Sequence, residues 1–146
     1  MTIIVLDTGP LGLVTNPRSS PDAKAAKDWL DRAIRRTDRI VVPEIADYEL
    51  RRELIRAGKV AGLRRLDEMI DVFEYLPLTT PVMRKAAEFW AEARKSGRPS
   101  AGNTALDGDV IVAAQTVMAF STNAIVATSN VAHLSRFVRA ETWNNI

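Results

Sequence analysis

Three aspartates interrupt stretches of apolar residues. Asp7 ends the run I-I-V-L at 3–6, and Asp107 and Asp109 lie within A-L-D-G-D-V-I-V-A-A at 105–114. Removing an isolated carboxylate from water costs several kcal/mol, so an aspartate among core-forming residues must be paired, hydrogen-bonded or bound to a cation. Carboxylates that converge on one point repel each other, and a hard divalent cation such as Mg²⁺ removes that repulsion. These aspartates therefore suggest an acidic metal site.

Each aspartate also has an interpretation that needs no metal. Asp7 could cap the turn after the first strand, Asp107 could be the N-cap of the helix that follows it, and Asp109 could be a first-turn acid favoured by the helix dipole. Residues two positions apart in one helix point about 200° apart. We therefore expect only one of Asp107 and Asp109 to point directly at a shared metal ion.

A third acidic segment lies in a helix predicted at residues 44–57. Composition alone does not distinguish among its acidic residues, which are Glu44, Asp47, Glu49 and Glu53. Surface salt bridges with the arginines on the same side of this helix are an alternative. Residues 49–66 contain six basic and two acidic residues, a balance of +4. Such a cluster could contact nucleic-acid phosphates, but a solvated surface or a docking groove for an acidic partner would have the same composition.

Composition narrows the class of protein and of site. The chain has 146 residues, 47% of them hydrophobic and 26% charged, with a net charge of +2, which is typical of one folded domain. The absence of cysteine excludes disulfides, thiolate metal sites and thiol nucleophiles. Because His133 is the only histidine, a metal site with several histidine ligands is excluded. We expect His133 to be a packing or surface residue. No apolar run approaches a membrane span, and no basic region begins a secretory signal, so a cytoplasmic location without membrane contact is expected.

Short β-branched runs alternate with helical patterns, which predicts a parallel sheet. The predicted strands are 3–6, 40–42, 72–76, 124–128 and a last edge strand near 141–143. The predicted helices start at Pro21 and Thr80 or span 44–57, 60–70 and 107–120, with a turn at 7–10 and a flexible loop at 96–104. We expect one α/β domain over 1–146, an α/β/α sandwich with a mainly parallel central sheet. Ligands bind beyond the carboxyl ends of such strands, where Asp7 and Thr128 lie.

Four motifs extend over nearly the whole chain. They are I-I-V-L-D-T-G-P-L at 3–11, Y-E-L-R-R-E-L at 48–54, L-D-G-D-V-I-V-A-A-Q at 106–115 and V-A-T-S-N-V-A-H-L-S-R-F at 126–137. Each motif alone is weak, but the four in this order and spacing are fairly specific. Together they resemble a PIN-domain nuclease, in particular the VapC-type toxins of bacterial toxin–antitoxin pairs.

The resemblance implies a role for each matching acid. Asp7 matches the first metal-binding aspartate of the family, Glu49 its helical glutamate, and Asp109 the aspartate of its D-x-x-I-A-A pattern. Asp107 matches an additional acid that some members carry two residues earlier. By this resemblance, we expect Asp7, Glu49 and Asp109 to bind the metal and all four acids to form the catalytic site.

Other residues have roles around these acids. Asn130 stands where family members have Asn or Asp, so a fourth acidic ligand is absent here. By the resemblance, Thr8, Thr128 and Asn130 would orient a bound water or a carboxylate. The residues expected to contact RNA are Arg51, Arg52 and Arg98.

The resemblance also implies an activity and partners. The family cleaves RNA with Mg²⁺ or Mn²⁺, usually as homodimers, and in toxin pairs is inhibited by a cognate antitoxin. A phosphatase with a second aspartate two residues after Asp7 is disfavoured, because that position is Gly9. The alternative is a non-catalytic PIN-like module that binds RNA or protein, although an unused acidic cluster would only reduce stability.

Overall fold

The fold is built on a five-stranded parallel sheet. The computed structural model describes residues 1–96 and 103–146, with side chains in the second range from residue 107 onward. In spatial order the strands are β3-β2-β1-β4-β5, and every neighbouring pair is parallel. Their bounds are β1 Ile3–Leu6, β2 Arg39–Pro43, β3 Glu74–Leu76, β4 Ala124–Ala127 and β5 Ala140–Glu141.

Helices connect the strands and cover both faces of the sheet. The described residues form α1 Thr8–Thr15, α2 Pro21–Arg35, α3 Glu44–Arg56, α4 Val60–Val72, α5 Thr80–Lys95, α6 Asn103–Phe120 and α7 Val131–Leu134, followed by a 3₁₀ helix at Trp143–Asn145. No helix within these residues is both long and apolar enough to cross a membrane.

Strand β1 shows how the layers form. Successive side chains of a strand point to opposite faces, so an unbroken apolar run is buried on both. Ile4 and Leu6 pack in one core with Trp29 of α2, whereas Val5 packs in a second core with Phe89 of α5. The predicted α/β/α sandwich with a parallel sheet is therefore confirmed.

The turn predicted at residues 7–10 is wrong, because α1 begins at Thr8 directly after β1. Asp7 is the N-cap of this helix. Pro10, which the sequence predicts in that turn, lies in the first turn of α1, where backbone N–H groups have no partner within the helix. Pro10 therefore fits the start of a helix instead of the predicted turn.

The start predicted for α6 is also wrong. The helix begins at Asn103, four residues before Asp107, so neither Asp107 nor Asp109 lies at its N-terminal cap. An acidic residue next to glycine is common at helix starts, which explains the error. The earlier start of α6 places both aspartates inside the helix, where its geometry determines the directions of their side chains.

Smaller differences concern segment ends. Strand β3 is shorter than predicted because Val72 still belongs to α4, and β5 begins at Ala140, one residue earlier than predicted. Helix α7 was not predicted. The flexible loop predicted at 96–104 falls outside the described residues from 97 to 102, and its last two residues belong to α6.

Candidate active site

Asp7 lies where two adjacent parallel strands end. Its backbone N–H donates to the carbonyl of Ala127 at the end of β4 (2.9 Å), which joins the carboxyl ends of β1 and β4. Its Oδ1 accepts from the Thr8 N–H (2.9 Å), and its Oδ2 accepts from the buried Thr128 hydroxyl (2.7 Å). Asp7 therefore has a capping role, as the simpler interpretation suggested, but it caps helix α1 and not a turn. Each carboxylate oxygen retains a lone pair that could bind a cation.

Glu49 reaches the same place from α3. Its side chain is 25% exposed, and its Oε1 accepts from the Thr8 hydroxyl (2.9 Å). Its Oε2 lies against the backbone of α6, where a Cβ built on Gly108 would be only 2.8 Å away. A residue without a side chain at position 108 therefore makes room for the Glu49 carboxylate.

The remaining acids of α3 are engaged elsewhere. Glu44 accepts from the Leu78 N–H (2.6 Å), Asp47 accepts from the Tyr75 hydroxyl (2.7 Å), and Glu53 forms a salt bridge with Arg56 (2.8 Å). These contacts distinguish Glu49 from its neighbours, which composition alone could not do.

The structure separates the two aspartates of α6. Asp109 is buried, and among the described residues its Oδ2 has no hydrogen-bond partner. Asp107 is exposed and lines a cavity of about 420 Å³ between α5 and α6, together with Trp90 and Met83. Asp109 thus faces the acidic site, whereas Asp107 points away from it, as expected for two residues about 200° apart.

The three carboxylates interact electrostatically. Burial is the largest cause of a rise in the pKa of Asp109 to about 6, to which the negative charges of Asp7 and Glu49 also contribute while His133 opposes the shift. Burial also raises the pKa of Asp7, although the hydrogen bonds from Thr128 and Thr8 counteract it. Asp7, Glu49 and Asp109 therefore form an acidic site in which the charges of Asp7 and Glu49 act on Asp109, with partial compensation from His133 and Arg52.

A model of the PIN domain matches residues 4–132 of the chain. The chain belongs to the PIN domain family. The predicted resemblance to PIN-domain proteins is thereby confirmed, since the match includes the second and third motifs, all but the first residue of the first motif and part of the fourth. No curated protein matches this sequence.

Solved structures with the same fold cover this PIN domain almost completely. VapBC2 from Rickettsia felis bound to a DNA fragment from their promoter has a TM-score of 0.74 and 19% identity, covering 97% of this chain and 99% of that one. VapBC-1 from nontypeable Haemophilus influenzae has a TM-score of 0.67 and 22% identity. DNA-bound VapBC from Salmonella typhimurium has a TM-score of 0.66 and 21% identity, and these two cover 98% of this chain and 99% of theirs.

The acidic site of this PIN domain fits a hard divalent cation. Carboxylate oxygens are its preferred ligands, and the buried, unpartnered Oδ2 of Asp109 is an oxygen that a cation would satisfy. In the described part of the chain, no three acidic or histidine side chains stand close enough to form a ready-made metal cluster. The carboxylate donors of Asp7, Glu49 and Asp109 nevertheless fit such a cation by their chemistry.

His133 is the residue near the site that the sequence analysis missed. Its Nδ1 lies 3.5 Å from the Asp109 Oδ2, and its side chain is 30% exposed. Helix α7 positions it, because the Asn130 carbonyl accepts from the N–H groups of His133 and of the fully buried Leu134. Asn130 itself is exposed, and its N–H donates to the Thr128 hydroxyl (2.9 Å). The proximity of His133 to Asp109 depends on the position of α7, so no spacing in the sequence indicated that proximity.

The arginines predicted to contact RNA differ in their surroundings. Arg51 forms salt bridges with Asp47 (3.0 Å) and Asp67 (2.7 Å), so its charge is balanced within the protein. Arg52 is half exposed, and its Nη2 lies 3.9 Å from the Glu49 Oε2. Arg98 lies outside the described residues.

Proposed function

We propose that this PIN domain is an endoribonuclease that depends on Mg²⁺ or Mn²⁺. The observation that carries the proposal is the buried Asp109 Oδ2, which accepts no hydrogen bond from the residues that the structure describes and belongs to a carboxylate on which the charges of Asp7 and Glu49 act. Leaving such an atom unsatisfied costs free energy, so its retention favours a bound cation. The PIN family assignment supports the same chemistry.

Each residue has a defined task in this proposal. Asp7, Glu49 and Asp109 would hold the cation. When bound, the cation would lower the pKa of a water molecule and neutralise charge on the phosphodiester. The Thr128 hydroxyl holds the Asp7 carboxylate through Oδ2, and the Thr8 hydroxyl holds Glu49 through Oε1. These hydrogen bonds orient two of the three carboxylates before any ligand arrives.

The more exposed polar residues have the outer tasks. Asp107 is an additional acid at the solvent side of α6, where an approaching RNA strand and its counter-ions would pass. Asn130 orients Thr128 through its backbone N–H. Among the arginines, we propose RNA contact for Arg52, Arg98 and, once RNA competes with its aspartate partners, Arg51.

We also propose that this chain is the toxin of a toxin–antitoxin pair. Three solved structures that share its fold over nearly its full length are VapBC structures from different bacteria. By analogy, the partners are a cognate antitoxin, a second copy of the chain in a homodimer, and RNA in the cytoplasm. Co-expression with the product of an adjacent small gene, followed by size-exclusion chromatography with light scattering, tests both protein partners.

Substitution of Asp7 by Asn tests the enzymatic proposal. It removes one negative ligand, so we expect Mg²⁺-dependent cleavage of mixed RNA to fall at least about 100-fold, because a bound cation contributes several kcal/mol to the transition state. The matched control is Asp31→Asn, which removes the same charge from the exposed face of α2 and should leave cleavage unchanged. Undiminished cleavage by the Asp7 variant would show that Asp7 is not a ligand.

A further inference from the structure

One short segment contacts two of the three acids. Residues 128–133 run from the end of β4 into α7, and the Thr128 hydroxyl at their start binds Asp7 (2.7 Å). The His133 imidazole at their end faces Asp109. The segment is held at both ends, because the Thr128 N–H donates to the Glu141 carbonyl in β5 (3.0 Å) and Leu134 is fully buried.

His133 and Asp109 lie close together, but the distance between them is longer than that of a hydrogen bond. The Nδ1–Oδ2 distance is 3.5 Å, whereas a charge-assisted N–H···O hydrogen bond measures about 2.7–2.9 Å. In the described part of the chain, this Oδ2 has no other hydrogen-bond donor. A movement of less than about 1 Å by a 30% exposed imidazole would complete the bond.

We propose that His133 is a positioning residue, whose Nδ1–H donates to one lone pair of the Asp109 Oδ2 and so orients the carboxylate toward the cation. The proposal rests on the proposed function, since it assumes that Asp109 binds a metal. It assigns to His133 the same task for Asp109 that Thr128 performs for Asp7 and Thr8 for Glu49. Each of the three acids then has one side-chain donor, and segment 128–133 supplies two of them.

The geometry distinguishes this role from direct metal binding. The ring nitrogen that faces the acidic site is Nδ1, and it faces the carboxylate oxygen itself. An asparagine at position 133 would present its amide N–H close to the place of Nδ1, whereas a glutamine would present it near the place of Nε2. A comparison of the asparagine and glutamine variants therefore distinguishes a hydrogen-bond donor to Asp109 from any other role of the imidazole.

The experiment measures the Kd for Mn²⁺ by calorimetry on the full chain and on His133→Ala, His133→Asn and His133→Gln. Loss of the group that orients a metal ligand weakens metal binding by about 10–100-fold. We expect the Ala and Gln variants to raise the Kd by about tenfold, and the Asn variant to remain within about threefold of the unsubstituted chain. With RNA as substrate at saturating Mn²⁺, we expect kcat to fall in the Ala and Gln variants while KM for RNA is unchanged.

Other outcomes would overturn the proposal in distinguishable ways. An unchanged Kd in His133→Ala would overturn the positioning role alone and leave the nuclease proposal intact. Equal losses in the Asn and Gln variants would also overturn it, because the position of the donor would then not matter. If the Ala variant does not fold, the comparison of Asn with Gln decides. An unsubstituted chain that binds no Mn²⁺ would overturn both proposals.

Discussion

Asp109 is electrostatically unfavourable in the absence of a cation. It is buried, its Oδ2 accepts no hydrogen bond within the described part of the chain, and the negative charges of Asp7 and Glu49 act on it. Asp7 and Glu49 each accept a hydroxyl hydrogen bond from a threonine, and these contacts offset part of their desolvation. At the residue scale the site therefore consists of two oriented carboxylates and one that is not yet satisfied.

Substitution of Asp109 by Asn should stabilise the metal-free protein in a pH-dependent way. Folding raises the pKa of Asp109 from 3.8 to about 6, so the folded state binds its proton more tightly than the unfolded state does. The penalty is absent below about pH 4 and complete above about pH 6. In EDTA at pH 7.5, we expect the free energy of unfolding to rise by about 1–2 kcal/mol, because a pKa unit corresponds to about 1.4 kcal/mol and solvent screens part of it.

Urea denaturation at pH 4 and pH 7.5 measures this difference. The gain should disappear at the lower pH, where Asp109 is protonated in both states. Asp107→Asn is the matched control, since it removes the same charge from an exposed position of the same helix. A metal-free Asp109→Asn protein that is less stable at pH 7.5 would mean that the ionised carboxylate stabilises the fold.

At the scale of elements, the site depends on how closely α3 approaches α6. The Glu49 carboxylate occupies the space that a side chain at position 108 would need. Glycine within a helix costs about 1 kcal/mol relative to alanine. Gly108 therefore makes helix α6 less stable than an alanine would. The space that it leaves allows a carboxylate from a second helix to reach the end of β1.

Gly108→Ala should separate stability from function. The alanine favours the helix by up to about 1 kcal/mol, but its Cβ would lie 2.8 Å from the Glu49 Oε2 and displace that flexible carboxylate. We expect the thermal midpoint without metal to be unchanged or higher, and Mg²⁺-dependent RNA cleavage to fall at least about tenfold.

Gly12→Ala is the matched control for this prediction. Gly12 also lies in a helix, α1, but a Cβ there would be 3.6 Å from the nearest side-chain atom, an ordinary contact. This variant should gain stability without loss of cleavage. Full activity in Gly108→Ala would mean that the position of Glu49 is not critical.

At the scale of the whole molecule, the acidic site joins parts of the chain that are far apart in sequence. Asp7 follows β1, Glu49 belongs to α3 and Asp109 to α6, and these elements come together only in the folded protein. An unfolded chain offers no such arrangement of ligands. A cation that binds here should therefore stabilise the folded state by mass action.

Titration with Mg²⁺ or Mn²⁺ should raise the Tm of the unsubstituted chain. At a concentration about 100 times the Kd, the stabilisation is about 2.7 kcal/mol, which corresponds to a shift of roughly 5–10 °C for a chain of this size. Differential scanning fluorimetry in Ca²⁺-free buffer measures the shift. The Asp7→Asn variant is the control. No shift at millimolar metal would favour the non-catalytic binding module over the nuclease.

Much of the fold could be predicted from local patterns. The apolar run at 3–6 is buried on both faces, and this requires a strand in the middle of a parallel sheet. The position of Asp7 at the carboxyl end of that strand follows directly, as does the proximity of Thr128 at the end of β4. Segment ends were less predictable, because Asp7 and Pro10 are equally suited to a turn and to the first residues of a helix.

The sequence by itself determined the layered α/β architecture and the set of residues able to bind a cation, because periodicity and residue type are local properties. Only the tertiary structure decided which acids lie near one another. The phase of α6 turns Asp109 inward and Asp107 outward, packing of α3 on α6 selects Glu49, and α7 brings His133 to Asp109. Burial, hydrogen bonding and the pKa of a carboxylate depend on neighbours from distant parts of the chain, and those neighbours are defined only when the elements pack.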